Sequence, residues 1–90
     1  MSNVNEILAE RGSRYGVFTG HAEITQEIKD VMRCTQNWTF LLDSDQKEAL
    51  EMIAHKIGRI LNGDPDYADN WIDLAGYAQL VVNRLEGNPV

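Results

Sequence analysis

The chain has 90 residues, 43% of them hydrophobic and 24% charged, with two prolines and no low-complexity tract, which is enough for one small domain and argues against disorder. A net charge of −6 excludes non-specific binding to a nucleic-acid polymer, where lysine and arginine must displace counterions. It leaves small phosphorylated ligands open, because Mg²⁺ can bridge carboxylates to phosphate oxygens.

The single cysteine, Cys34, cannot form an internal disulfide, and its place in a helical pattern predicts a small core residue rather than a nucleophile. The N-terminal residues lack a basic start followed by an apolar run, and no stretch has the length of a membrane span. No membrane partner is expected, and the cytoplasm, in a viral setting that of the host cell, is the expected location.

In chain order, Asn3 or Asn5 can cap a short helix bearing Val4, Ile7 and Leu8, with Gly12 placed to end it. Ser13 to Gly20 has two glycines, two aromatics and no period, and reads as an ordered loop. Ile24, Ile28, Val31 and Met32 then recur at helical spacing from about Gly20 to about Thr35. Gln36 to Leu42 is a short apolar run, either a connector pinned into the core or a brief strand, and its isolation favours the connector.

Asp43-Ser44-Asp45-Gln46 is a helix start with the elements of a capping box. Leu50, Ile53, Ile57, Ile60 and Leu61 form one apolar stripe that runs to Asn62-Gly63. Asp64-Pro65-Asp66 breaks this helix and offers caps for the next. In that last helix Trp71, Leu74, Ala75, Ala78, Val81, Val82 and Leu85 define the expected buried stripe, ending near Gly87 and Pro89. The expectation is one all-α domain over residues 1–90: a compact four-helix unit with a C-terminal antiparallel helical hairpin. Two faces containing apolar residues predict a homodimer or larger homo-oligomer.

At about 100° per residue, Glu48, Glu51, His55 and Arg59 fall on one side of the third helix, and Asp69 and Asp73 likewise on the fourth. Carboxylates from neighbouring helices are a common way for a bundle to hold a hard divalent cation. Glu48, Glu51, Asp69 and Asp73 are therefore candidate metal ligands, against the plainer alternative of a solvated acidic face. Met52, Ile72, Gly76 and Leu80 interrupt these faces, and Gly58 and Gly76 each cost about 1 kcal/mol in a helix. A close helix crossing or a ligand would compensate.

His55, Lys56 and Arg59 can supply positive charge to a phosphate, or equally form exposed ion pairs. Among the aromatics, Tyr15 is the candidate to stack on a base. No glycine-rich phosphate loop, paired-cysteine motif or nucleophile elbow is present, and His21 and His55 are not spaced as a zinc pair.

The stretches Leu8-Ala9-Glu10-Arg11-Gly12-Ser13-Arg14-Tyr15-Gly16 and Asp45 to Leu80 resemble a family of small phage and prophage proteins, which implies a viral origin and a helical fold. A more distant similarity is to the all-helical nucleotide pyrophosphatases of the MazG and dimeric dUTPase type, whose pattern is Glu-x-x-Glu, a spacer, then Glu-x-x-Asp. Here Glu48-x-x-Glu51 precedes Asn70-x-x-Asp73. The resemblance implies that Glu48, Glu51 and Asp73 are catalytic residues binding Mg²⁺, with Lys56 or Arg59 neutralising developing charge, and that Asn70 belongs to the ligand site. Asn70 stands where the family has glutamate, which implies either that Asp69 substitutes as a ligand or that catalysis is lost. The expected ligand is a nucleotide or cyclic nucleotide. The alternative is a viral protein without turnover that sequesters a host signalling nucleotide or blocks a host protein target.

Overall fold

The computed structural model describes residues 3–90. They form four α-helices, α1 (Asn3–Tyr15), α2 (Phe18–Arg33), α3 (Ser44–Asn62) and α4 (Ala68–Leu85), with a single π-helical turn over Asn37–Leu41 and no strand among the described residues. No described helix is long and apolar enough to cross a membrane.

α3 is the central element. α2 packs along one side of it and α4 along another, with little contact between α2 and α4, while α1 leans on α2 and α3. Ion pairs at opposite ends fix the antiparallel hairpin: Lys56 Nζ meets Asp73 at 2.9 Å, and Arg84 meets Asp45 at 2.7 Å. α3 opens with the expected capping box, in which the Asp43 amide donates to Gln46 Oε1 at 2.8 Å.

Small side chains set the helix spacing. Ala49, Ala54 and Gly58 are the buried small residues of α3, and a Cβ at Gly58 would collide with Thr25 Oγ1 on α2 and touch the His21 ring at 3.0 Å. Gly58 is thus explained by a close helix crossing. Gly76 is not, since among the described residues nothing beyond its own helix backbone lies within 4 Å of its would-be Cβ. The larger apolar residues Ile24, Ile28, Ile53, Ile57, Leu74 and Val81 are only half-buried.

Several boundaries differ from the sequence expectation. Gly12 does not end α1, because it is exposed and nothing there demands a left-handed residue. The extra turn is held by Ser13 Oγ donating to Glu10 O at 2.6 Å and by the Glu10–Arg14 pair at 3.1 Å. The helix stops at Gly16, whose φ is +79° and whose Cβ would collide with Asn62. The expected loop from Ser13 to Gly20 therefore shrinks to Gly16-Val17.

The Gln36–Leu42 run is a connector, but not a buried one. Leu42 N–H bonds back to Asn37 O at 2.8 Å, closing the π turn, and Phe40 and Leu41 point outward at 79% and 70% exposure. Cys34 lies exposed at the C-cap of α2 rather than in the core. Asp64 and Asp66 do not cap α4, whose N-cap is Tyr67. Asp64 instead accepts the Asp66 amide at 2.9 Å inside the loop.

The largest correction concerns the buried face of α4. Asn70 is buried, and Leu74, Tyr77, Val81 and Arg84 are half-buried. Trp71, Ala75, Ala78, Val82 and Leu85, expected to be inside, are exposed. The Lys56–Asp73 and Arg84–Asp45 pairs accompany this rotation of the helix, and α4 carries two apolar stripes of which the chain covers one.

Candidate functional site

Asn62 organises the junction of α1, α2 and α3. Its Nδ2 donates to Tyr15 O at 2.9 Å and Val17 O at 2.8 Å, and the Asp64 amide donates to Arg14 O at 2.7 Å. Gly63 lies so close to the Arg14 and Tyr15 backbone that no Cβ would fit. These contacts clamp the α1–α2 link against the end of α3. They preorganise the pocket beside it.

That pocket has a volume of about 410 Å³, within the ordinary range of small-molecule sites, about 300–1,000 Å³. Leu8, Val17 and Phe18 form apolar walls, and Arg11, Tyr15, His21, His55 and Arg59 supply its polar groups. No carboxylate of the described residues lines it. Neither Arg11 nor Arg59 forms an ion pair among the described residues.

Tyr15 reaches the pocket because α1 continues through Gly12, which also puts Arg11 one helical turn before it on the same face. The Arg59 guanidinium lies 3.9 Å from the Tyr15 ring centroid, a cation–π contact that holds it in place. Behind Tyr15, Tyr67 packs edge-on with centroids 6.0 Å apart, and Arg14 Nη1 donates to Tyr67 Oη at 3.0 Å. The Tyr67 hydroxyl donates to Asp69 at 2.9 Å, which raises its pKa.

His21 and His55 form the floor. Their rings meet edge to face, with His21 Nε2 3.3 Å from His55 Nδ1, and Thr25 Oγ1 is 3.4 Å from the same His21 nitrogen. Burial, then the charges of Arg59 and other nearby cations, pushes His55 down to about 4. Burial likewise lowers His21, with Arg59 and Lys29 adding to it. At neutral pH the pair is uncharged. The pocket's positive charge comes from Arg11 and Arg59.

The other sequence candidates are distributed elsewhere. Glu51 faces α2, where it meets Arg33 at 2.9 Å and Lys29 at 3.9 Å. Lys56 is buried and engaged by Asp73, so it does not join His55 and Arg59 in the pocket. Asn70 is 1% exposed, and its Nδ2 has no partner among the described residues. Glu48 lines a separate crevice with Tyr77 and Arg84 near the far end of the hairpin. Asp69 is held by Tyr67.

Glu48, Glu51, Asp69 and Asp73 are thus not brought together within one chain, and among the described residues no three His, Cys, Asp or Glu side chains form a metal-holding group. These residues do not fit a resident Mg²⁺ in a single chain. The physical reason is register: in an antiparallel hairpin the start of α3 lies beside the end of α4. Glu51 is also turned towards α2.

Sequence reasoning placed Tyr15, His55 and Arg59 among the ligand-binding candidates, and the structure brings these three together. It missed Arg11, His21 and Asn62. Arg11 was legible from its four-residue spacing to Tyr15 once Gly12 is allowed inside the helix; His21 and Asn62 carry no local signal.

The class defined by this fold and pocket is an all-helical domain, built on a central helix, with a basic, aromatic cavity. Residues 1–85 match the family model described as a domain of unknown function (DUF6378), and the chain belongs to that family. No curated protein and no solved structure matches it.

Proposed function

We propose that the protein binds a phosphorylated small molecule, a nucleotide or cyclic nucleotide, in the pocket between α1, α2 and α3, and holds it without turnover. The observation that carries this reading is a pocket with two unpaired arginines and no carboxylate in a chain of net charge −6. Holding two guanidinium groups together without an acid costs repulsion, which an anionic ligand relieves. Arg11 and Arg59 would take the phosphate, with Arg59 held against Tyr15. The apolar walls and the exposed ring of Phe18 suit a base or another flat group.

Holding rather than cleaving is favoured because Glu51 and Asp73, catalytic in the resembled pyrophosphatases, are occupied by Lys29, Arg33 and Lys56. In the phage setting that the sequence resemblance implies, such a protein would withhold a signalling nucleotide from the host.

Calorimetric titration with nucleoside triphosphates and cyclic nucleotides, with and without Mg²⁺, tests this. One of them is expected to bind stoichiometrically and to be recovered intact. Arg59→Ala should weaken binding about ten- to a hundredfold, the scale of a lost charge-assisted hydrogen bond. Arg11→Ala should act in the same direction. Silence across the panel, or binding indifferent to both substitutions, would remove the proposal. Pyrophosphate accumulating with time in Mg²⁺ would replace it with the pyrophosphatase reading.

A further inference from the structure

A folded monomer of 10.2 kDa is expected to expose about 5,300 Å². This chain exposes 6306 Å², an excess on the order of 1,000 Å². Its radius of gyration is 15.1 Å, where about 12 Å is expected for 90 residues. Both measures describe an open layer of helices. A standard interface removes about 800 Å² from each partner, close to the excess.

The open surface has a pattern. Trp71, Ala75, Ala78, Val82 and Leu85 recur at alternating spacings of four and three, all exposed, which is the seam of a helix pair. Exposure is 52% at Trp71, 41% at Val82 and 60% at Leu85. Beside the seam lies a groove of about 280 Å³ lined by Leu42, Leu50, Ile53, Ala78 and Val81, with no charged residue among its lining. The seam itself carries no charge either.

We infer that this face of α4 pairs with the same face of a second copy of the chain, the two α4 helices running antiparallel about a two-fold axis level with the Gly76–Tyr77 peptide. The seam is complementary to its own reverse. Turning it end for end puts Trp71 opposite Val82 and Ala75 opposite Ala78, with Leu85 opposite Ala68, the exposed first residue of α4. Small residues at the centre let the two backbones approach, and the large ones close the ends. An isologous interface requires that residue i meet j while j meets i, and this spacing meets the requirement without a shift. Antiparallel packing also sets the positive end of each helix dipole beside the negative end of the other.

Sedimentation equilibrium of the full chain should give twice the 10.2 kDa chain mass. Ala78→Glu should give the single-chain mass while keeping the helical circular dichroism of the parent. Because that variant can also unfold, a second pair guards the test. In a Cys34→Ser background, an equimolar mixture of Ala75→Cys and Ala78→Cys chains should cross-link on mild oxidation. Ile72→Cys, about 100° around the helix from Trp71, should not. A monomeric parent chain overturns the inference, whether another protein or nothing covers the face. Equal cross-linking by that mixture and by Ile72→Cys does so as well.

Discussion

His21 and His55 share a contact of 3.3 Å in a site whose nearest charges are positive, so a proton added to either meets both burial and repulsion. The pKa of His55 in the folded chain is about 4, against about 6.5 in an unfolded chain. Between these values the unfolded state binds more protons than the folded one, so stability falls with falling pH. It is fully present above about pH 6.5 and is lost progressively towards about pH 4; the lowered pKa of His21 acts in the same direction. The melting temperature of the ligand-free protein should therefore drop on going from about pH 7.5 to about pH 5. His55→Gln should flatten that dependence, and the His55 ring resonances should titrate near 4 by NMR. An unchanged melting temperature across the window would show that the pair is not buried as described. An anion in the pocket reverses the local field, so the affinity for a phosphorylated ligand should rise as pH falls through the same range.

The helices show which sequence signals survive tertiary contact. The start of α3 was legible because a capping box is closed by residues three apart, whereas the end of α1 was not. Gly12 looks like a terminator, yet the chain reverses at Gly16, where Asn62, 46 residues away, occupies the space of a Cβ. The pocket shares that fate: Tyr15, His55 and Arg59 could be named singly, but their convergence depends on Asn62 clamping the α1–α2 link. For α4 the pattern contained two apolar stripes, and the one that faces α3, with Leu74, Tyr77 and Val81, is the one that also brings Asp73 to Lys56 and Arg84 to Asp45. Gly58 and Gly76 provide a test of this logic. Gly58→Ala gains helix propensity but drives a methyl into Thr25, and should destabilise by about 1–3 kcal/mol. Gly76→Ala meets open space and should stabilise by up to about 1 kcal/mol. Urea unfolding of both variants measures the contrast, and equal shifts would contradict the close α2–α3 crossing.

For the whole molecule, only two apolar side chains, Ala49 and Ala54, are buried in the described residues. Burial of apolar area contributes about 25 cal/mol per Å², so half-buried isoleucines leave much of the available stabilisation unused in one chain. A second copy on the Trp71–Leu85 seam would recover part of it. Folding would then be coupled to association, and the stability of the dimer would depend on chain concentration by mass action. The melting temperature of the parent chain should rise as protein concentration is increased, while that of Ala78→Glu should be lower and independent of concentration. The ligand pocket lies away from this seam, since His55 and Arg59 are on the side of α3 roughly opposite Leu50, Ile57 and Leu61 at about 100° per residue. Nucleotide binding by folded Ala78→Glu should accordingly match the parent. A melting temperature that ignores concentration in the parent chain would mean that its sparse core suffices alone and that the seam contributes nothing to folding.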